Sequence, residues 1–220
     1  MPNAPSPLEL LDRNRPGIKL EEWCDWPEKT LDQMKGVFGL QQYIQMLIRR
    51  DPADIERIVH PPPDFDSVEA WQYEHLRLFC LELGNLVVAL EAECTAESCP
   101  EMRADEWVYL CAAHPTPAPC CAMDYILHTL DGATALLNST RHFSSRCFIN
   151  ADSVKHFQNV ARRLYRIFAH AWYHHKETFV AFEAESHLYA RFLRFSTIEF
   201  MLIPEKLVII PPEACLPYDE

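Results

Sequence analysis

Between Pro119 and Pro204 the chain contains no proline, and after Gly132 it contains no glycine. Proline removes a helical hydrogen bond and glycine adds backbone entropy, so a run this free of both is permissive for helix. Apolar residues inside it keep the 3.6-residue period. Val154, Phe157, Val160, Leu164, Ile167 and Phe168 mark a central helix that Asp152 or Ser153 can start, and Phe179, Phe182, Tyr189, Phe192, Leu193 and Phe195 mark a further one. Met123, Ile126, Leu127, Leu130, Thr134 and Leu137 predict a helix before them, with Gly132 as its soft point. Leu76, Phe79, Leu83, Leu86, Val87 and Leu90 predict another over about 71–93. Nearer the N-terminus, Thr30 and Gln33 form a capping-box pattern ahead of a helix that Asp51-Pro52 ends and that Gly36 and Gly39 weaken. Trp107–Cys111 reads as a short extended piece before the proline-rich turn at Pro115, Pro117 and Pro119.

The expected fold is therefore all-α, a single domain built around a four-helix bundle with extra helices and irregular connections. Residues 1–29 lack periodicity and are expected to lie extended on or near the body, pinned by Trp23 and Trp26. The helical domain spans 30–210, with Leu207–Ile210 laid against it, and 211–220 forms a tail.

A net charge of -12 excludes broad nucleic-acid binding, which needs a basic face. No uninterrupted apolar run is long enough to span a membrane, and the N-terminus lacks the pattern of an export signal. Nine cysteines without such a signal read as reduced thiols, some of them metal ligands, and place the chain in cytosol or nucleus.

Chemistry concentrates in Arg162–His175. Arg162, Arg166, His170 and His174 lie at successive i,i+4 positions and form one drifting stripe. Cys94 and Cys99 have the loop spacing of a structural zinc half-site, and the central helix offers imidazoles for the other half. Helical geometry alone favours His170 with His174, since i,i+4 side chains diverge by about 40° and i,i+5 by about 140°. His175 competes if the helix ends there. Cys111, His114, Cys120 and Cys121 form a weaker metal set, because adjacent cysteines do not easily share one tetrahedron, and buried thiols are expected instead. Cys80 and Cys147 are expected in apolar surroundings, and His75, His128, His156 and His187 as packing residues. Arg162, Arg163 and Arg166 crowd one region with no acidic residue between positions 153 and 176. Such repulsion needs an offsetting anion, and the arginine fork matches phosphate oxygens two at a time. With 32 acidic residues in the chain, internal pairing is the simpler expectation from the residues alone.

No catalytic set is legible. His170 and His174 frame the spacing of a zinc peptidase, but Ala171 stands where its glutamate base belongs. A nucleophile elbow, a phosphate-binding glycine loop, a dinucleotide fingerprint and a Cys-x5-Arg loop are all missing from the sequence.

Several stretches together resemble the Mob/phocein family, phocein branch: Arg13–Gly17, Tyr73–Arg77, Leu110–His114, Asp124-Tyr125 with His128–Ala133, and Arg162–His175. The resemblance implies a helical domain with a structural Zn2+ held by Cys94, Cys99, His170 and His175, and a phosphopeptide pocket on Arg162, Arg163 and Arg166. It further implies a non-catalytic adaptor that binds protein kinases of the germinal-centre type, a striatin-like scaffold with its phosphatase, and phosphorylated peptide. The expected place is the cytoplasm, including the periphery of internal membranes. The alternatives are a metal-dependent hydrolase using the same histidines, or a purely structural subunit whose arginines are internally paired.

Overall fold

A computed structural model describes residues 16–23 and 27–215. Its longest elements are α3 (Val68–Leu90) and α5 (Ala151–His174), joined in the core by α4 (Ala122–Leu137) and α6 (Lys176–Ser186). α3 packs against α4, α5 and α6, while α5 packs against α4 and α6, so these four form the expected bundle. The shorter α1 (Gly39–Arg50), α2 (Ile55–Val59) and α7 (Leu188–Leu193) close one flank. A two-stranded antiparallel hairpin, β1 (Arg103–Ala104) and β2 (Trp107–Val108), lies beside α5.

α5 forms because its apolar residues fall on one face, and Phe157, Leu164, Ile167 and Phe168 are buried against α3, α4 and α7 neighbours. Each such side chain contributes roughly 1.5–3 kcal/mol on burial. Its start lies slightly before the expected cap: the Asn150 side chain accepts from the Asp152 amide at 3.0 Å. Its end is abrupt. His175 leaves helical geometry at φ -139, ψ 50, yet its amide still bonds to the Ala171 carbonyl at 2.9 Å. α6 starts at the next residue, so His175 is a hinge between two helices.

Other boundaries depart from the sequence reading for local reasons. The capping box of Thr30 and Gln33 is present but holds only a single 3-10 turn, Leu31–Gln33, because Gly36 at φ 88 turns the chain before α1. The helix expected through Phe195 breaks at His187, which is left-handed at φ 48, and finishes in a π turn over Arg194–Glu199. Trp23 is 56% exposed, and Trp26 lies outside the described residues. Lys29 and Glu28 tie the end of that segment down: the Lys29 amide meets Met46 Sδ at 3.4 Å, and Glu28 Oε2 pairs with Arg50 at 2.8 Å. Leu207–Ile210 does lie on the body. Tyr165 on α5 accepts from the Ile209 and Ile210 amides at 2.7 and 3.0 Å, and Tyr173 donates to the Ile209 carbonyl at 2.7 Å. No helix among the described residues is long and apolar enough to cross a membrane.

Candidate metal centre and arginine cleft

α3 ends at Leu90 and delivers the loop that carries Cys94 and Cys99. The Cys94 amide bonds to the Leu90 carbonyl at 2.8 Å and the Cys99 amide to the Thr95 carbonyl at 2.9 Å. Inside that turn the Thr95 amide donates to Ser98 Oγ at 2.9 Å, and Ser98 Oγ donates to the Glu93 carbonyl at 2.6 Å. The loop is thus shaped by its own polar residues, with both sulfurs turned inward toward the end of α5. Cys94 Sγ lies 3.4 Å from His170 Nε2, and Cys99 Sγ lies 3.4 Å from His175 Nε2. The four ligand atoms all fall within 4.8 Å of one another, and all four residues are buried.

These residues fit a tetrahedral soft cation. Metal–ligand bonds of about 2.0–2.3 Å require ligand-to-ligand edges of roughly 3.3–3.8 Å, the range of the two sulfur–nitrogen distances. The imidazoles are held for that role from behind. His170 Nδ1 donates to the Arg103 carbonyl at 2.7 Å, leaving Nε2 as the lone-pair nitrogen, and His175 Nδ1 lies 3.5 Å from the Glu93 carboxylate. Burial pushes the His170 pKa down to about 4, keeping the ring neutral, and pushes the Cys94 thiol up to about 12. A thiol so raised ionises at neutral pH only beside a positive charge, which a bound cation supplies.

His174 does not join this group. It is exposed on the last turn of α5 and stacks on the His170 ring at 4.8 Å between centroids. The i,i+4 preference fails because His175 is not on undistorted helix; the hinge swings its side chain round to the face of His170.

Two turns earlier, Arg162, Arg163 and Arg166 line a cavity of about 420 Å3 between α4, α5 and the start of the 111–120 loop. Among the described residues no carboxylate pairs with any of the three, so internal neutralisation is not what offsets their repulsion. Arg162 Nε is buried without a hydrogen-bond partner. Arg166 is pre-oriented: Nη1 donates to the Tyr125 hydroxyl at 2.7 Å, and the guanidinium lies 4.7 Å from the Tyr109 ring centre. Neither tyrosine is legible in the sequence as part of the cleft: Asp124-Tyr125 belongs to the family resemblance, but nothing in its spacing ties it to α5.

The weaker metal set is regrouped. Cys111, His114, Cys120 and His128 converge, whereas the Cys121 Sγ sits at the N-terminus of α4 and accepts from the Asp124 amide at 3.4 Å. His128 is therefore not an isolated packing residue, and Cys120 is only half-buried. Cys80 is buried as expected, but Cys147 is exposed, because it sits in the irregular link before α5 rather than on an apolar helix face.

The relatives of this chain identify its family. Mob1/phocein family sequences match residues 47–211, the span that holds the bundle, both cysteine loops and α5. The MOB kinase activator-like 4 protein of Drosophila melanogaster is 48% identical over 201 residues, covering 91% of this chain and 90% of the relative. The MOB-like protein phocein of Caenorhabditis elegans is 45% identical over 200 residues, covering 90% and 89%. Mouse MOB kinase activator 3C is more distant, 27% identical over 196 residues. A match over most of the chain at nearly half identity leaves one conclusion: this chain belongs to the Mob1/phocein family.

Proposed function

We propose that the chain is a non-catalytic adaptor that receives a phosphorylated segment of a partner protein kinase in the arginine cleft, as part of a striatin-type kinase–phosphatase assembly. The observation that carries this reading is the arginine trio without carboxylate partners among the described residues, with Arg162 Nε buried and unsatisfied. Three guanidiniums converging on a cavity of about 420 Å3 suit a phosphate dianion, which accepts two donors from each fork. A net charge of -12 for the chain as a whole favours a partner that is basic around its phosphorylated residue. The kinase-activator names of the relatives point to the same class of partner.

In this reading the Cys94, Cys99, His170 and His175 set holds a structural Zn2+. When bound, the ion ties the loop after α3 to the end of α5 and thereby fixes the helix that presents the arginines. Four protein ligands leave no open coordination position for water or substrate, which argues against a hydrolase. The protein then works by holding partners together in the cytoplasm.

The test is a pull-down of a germinal-centre-type kinase from phosphorylated and phosphatase-treated preparations. Retention of only the phosphorylated kinase supports the reading. Equal retention of both contradicts it and favours a purely structural subunit.

A further inference from the structure

Outside the cysteine–histidine set at the end of α5, we infer that a second zinc ion is bound by Cys111, His114, Cys120 and His128. The spacing, Cys-x2-His-x5-Cys-x7-His, alternates two soft sulfurs with two imidazoles. Three of the ligands come from the loop between β2 and α4, and His128 comes from the second turn of α4.

The geometry is that of a closed tetrahedron. His114 Nε2 lies 3.0 Å from Cys120 Sγ, Cys111 Sγ lies 3.5 Å from His128 Nδ1, and Cys120 Sγ lies 3.8 Å from the same nitrogen. All four ligand atoms fall within 4.8 Å of one another. The two imidazole rings meet edge to face at 5.2 Å between centroids, so that their nitrogens converge from different directions. A cation with roughly 3.3–3.8 Å between its ligands fits among them. The two thiols would bind as thiolates and release their protons to solvent.

The loop supplies the second argument. Cys111 and Ala118 exchange two backbone hydrogen bonds at 2.8 and 3.1 Å, which closes residues 111–118 into a hairpin. Ala112, Ala113, Pro115, Thr116, Pro117 and Pro119 are all exposed, so the loop has almost no apolar burial to order it. His114 nevertheless folds back from the tip onto Cys120. A metal cross-link explains why a loop of three prolines and three alanines turns His114 and Cys120 toward each other while Thr116 stays exposed. With no position left open, this ion is structural, and it fixes Cys111 and His128 where they also line the arginine cavity.

The assignment is independent of the phosphopeptide reading and is tested by metal content. Purified full chain, exhaustively dialysed against metal-free buffer, should retain two zinc ions per chain by atomic emission. The double variant Cys111→Ser/Cys120→Ser should retain one, and cobalt substituted into the wild type should give about twice the visible d–d absorbance of the variant. One zinc per wild-type chain, or a wild-type mass lowered by a Cys111–Cys120 disulfide, would overturn the site whether or not the variant folds. An equal zinc count in wild type and a folded variant would overturn it as well.

Discussion

The two neighbouring histidines at the end of α5 allow a sharp test of the first metal centre, because they differ by one position and in almost every physical respect. His175 is buried, with Nε2 3.4 Å from Cys99 Sγ and Nδ1 toward Glu93; His174 is exposed and stacks on the His170 ring. Partners that merely support a ligand are worth about 10–100-fold in metal affinity, so loss of a coordinating nitrogen should cost on the order of a thousandfold. That corresponds to about 4 kcal/mol of metal binding. Because the ion binds only the folded chain, the loss appears as stability. At about 2–4 °C per kcal/mol for a chain of this size, His175→Ala should lower the melting temperature by roughly 8–16 °C. His174→Ala removes an exposed ring and should cost less than about 0.5 kcal/mol, a shift of at most about 2 °C. Differential scanning calorimetry of both variants, with excess zinc and then with a chelator, measures the difference. In chelator, wild type and His175→Ala should melt at the same temperature, below either value in excess zinc, because neither then holds an ion. Equal shifts for the two variants, or the larger one for His174→Ala, would refute the ligand assignment.

A pH dependence follows from His75, which packs between the Trp71 and Phe195 rings and whose pKa burial lowers to about 3. Since the unfolded pKa is near 6.5, the unfolded chain binds a proton that the folded chain refuses. The neutral ring's contribution is complete above about pH 6.5 and is lost as pH falls toward 3, at up to about 1.4 kcal/mol per pH unit. Urea melts from pH 7 to 5 should show that slope reduced in His75→Phe; an unchanged slope would remove His75 as its source. Tyr165→Phe leaves the Ile209 and Ile210 amides without their acceptor, at about 1–3 kcal/mol for the buried one. Limited trypsin digestion at the exposed Lys206 should then run at least several-fold faster, and identical digestion would mean the tail is held otherwise.

The legible part of the fold is the part governed by period. α3, α4 and α5 follow the spacing of Leu76 to Leu90, Met123 to Leu137 and Val154 to Phe168, since burial of one face leaves a repeating mark in sequence. What escaped is decided by single backbone residues. Gly36 at φ 88 cuts the first helix short, and left-handed His187 divides the last long one. The hinge at His175 had the same consequence for the site: helical geometry alone favoured His174, and family resemblance alone favoured the residue that stands beside Cys99. His128 was hidden for a different reason. It lies beyond the last proline of the loop and on a helix, so only the Cys-x2-His start at Cys111 could have prompted a search for its distant partners. The arginines were easy to find, but whether carboxylates surround them depends on the packing of other helices, which no local pattern encodes.

In the proposed function the cleft of Arg162, Arg163 and Arg166 receives phosphate on a peptide. The most direct measurement is titration of the full chain with a phosphothreonine peptide and its unphosphorylated twin, alongside Arg163→Glu and the double variant Arg163→Glu/Arg166→Glu. Each lost charge-assisted contact is worth about 1.5–3 kcal/mol. The phosphorylated peptide should therefore bind wild type, weaken at least about tenfold with Arg163→Glu, and lose measurable binding to the double variant while the melting temperature holds. Equal affinity for the two peptides, or a phosphorylated peptide whose affinity the variants leave unchanged, would contradict it.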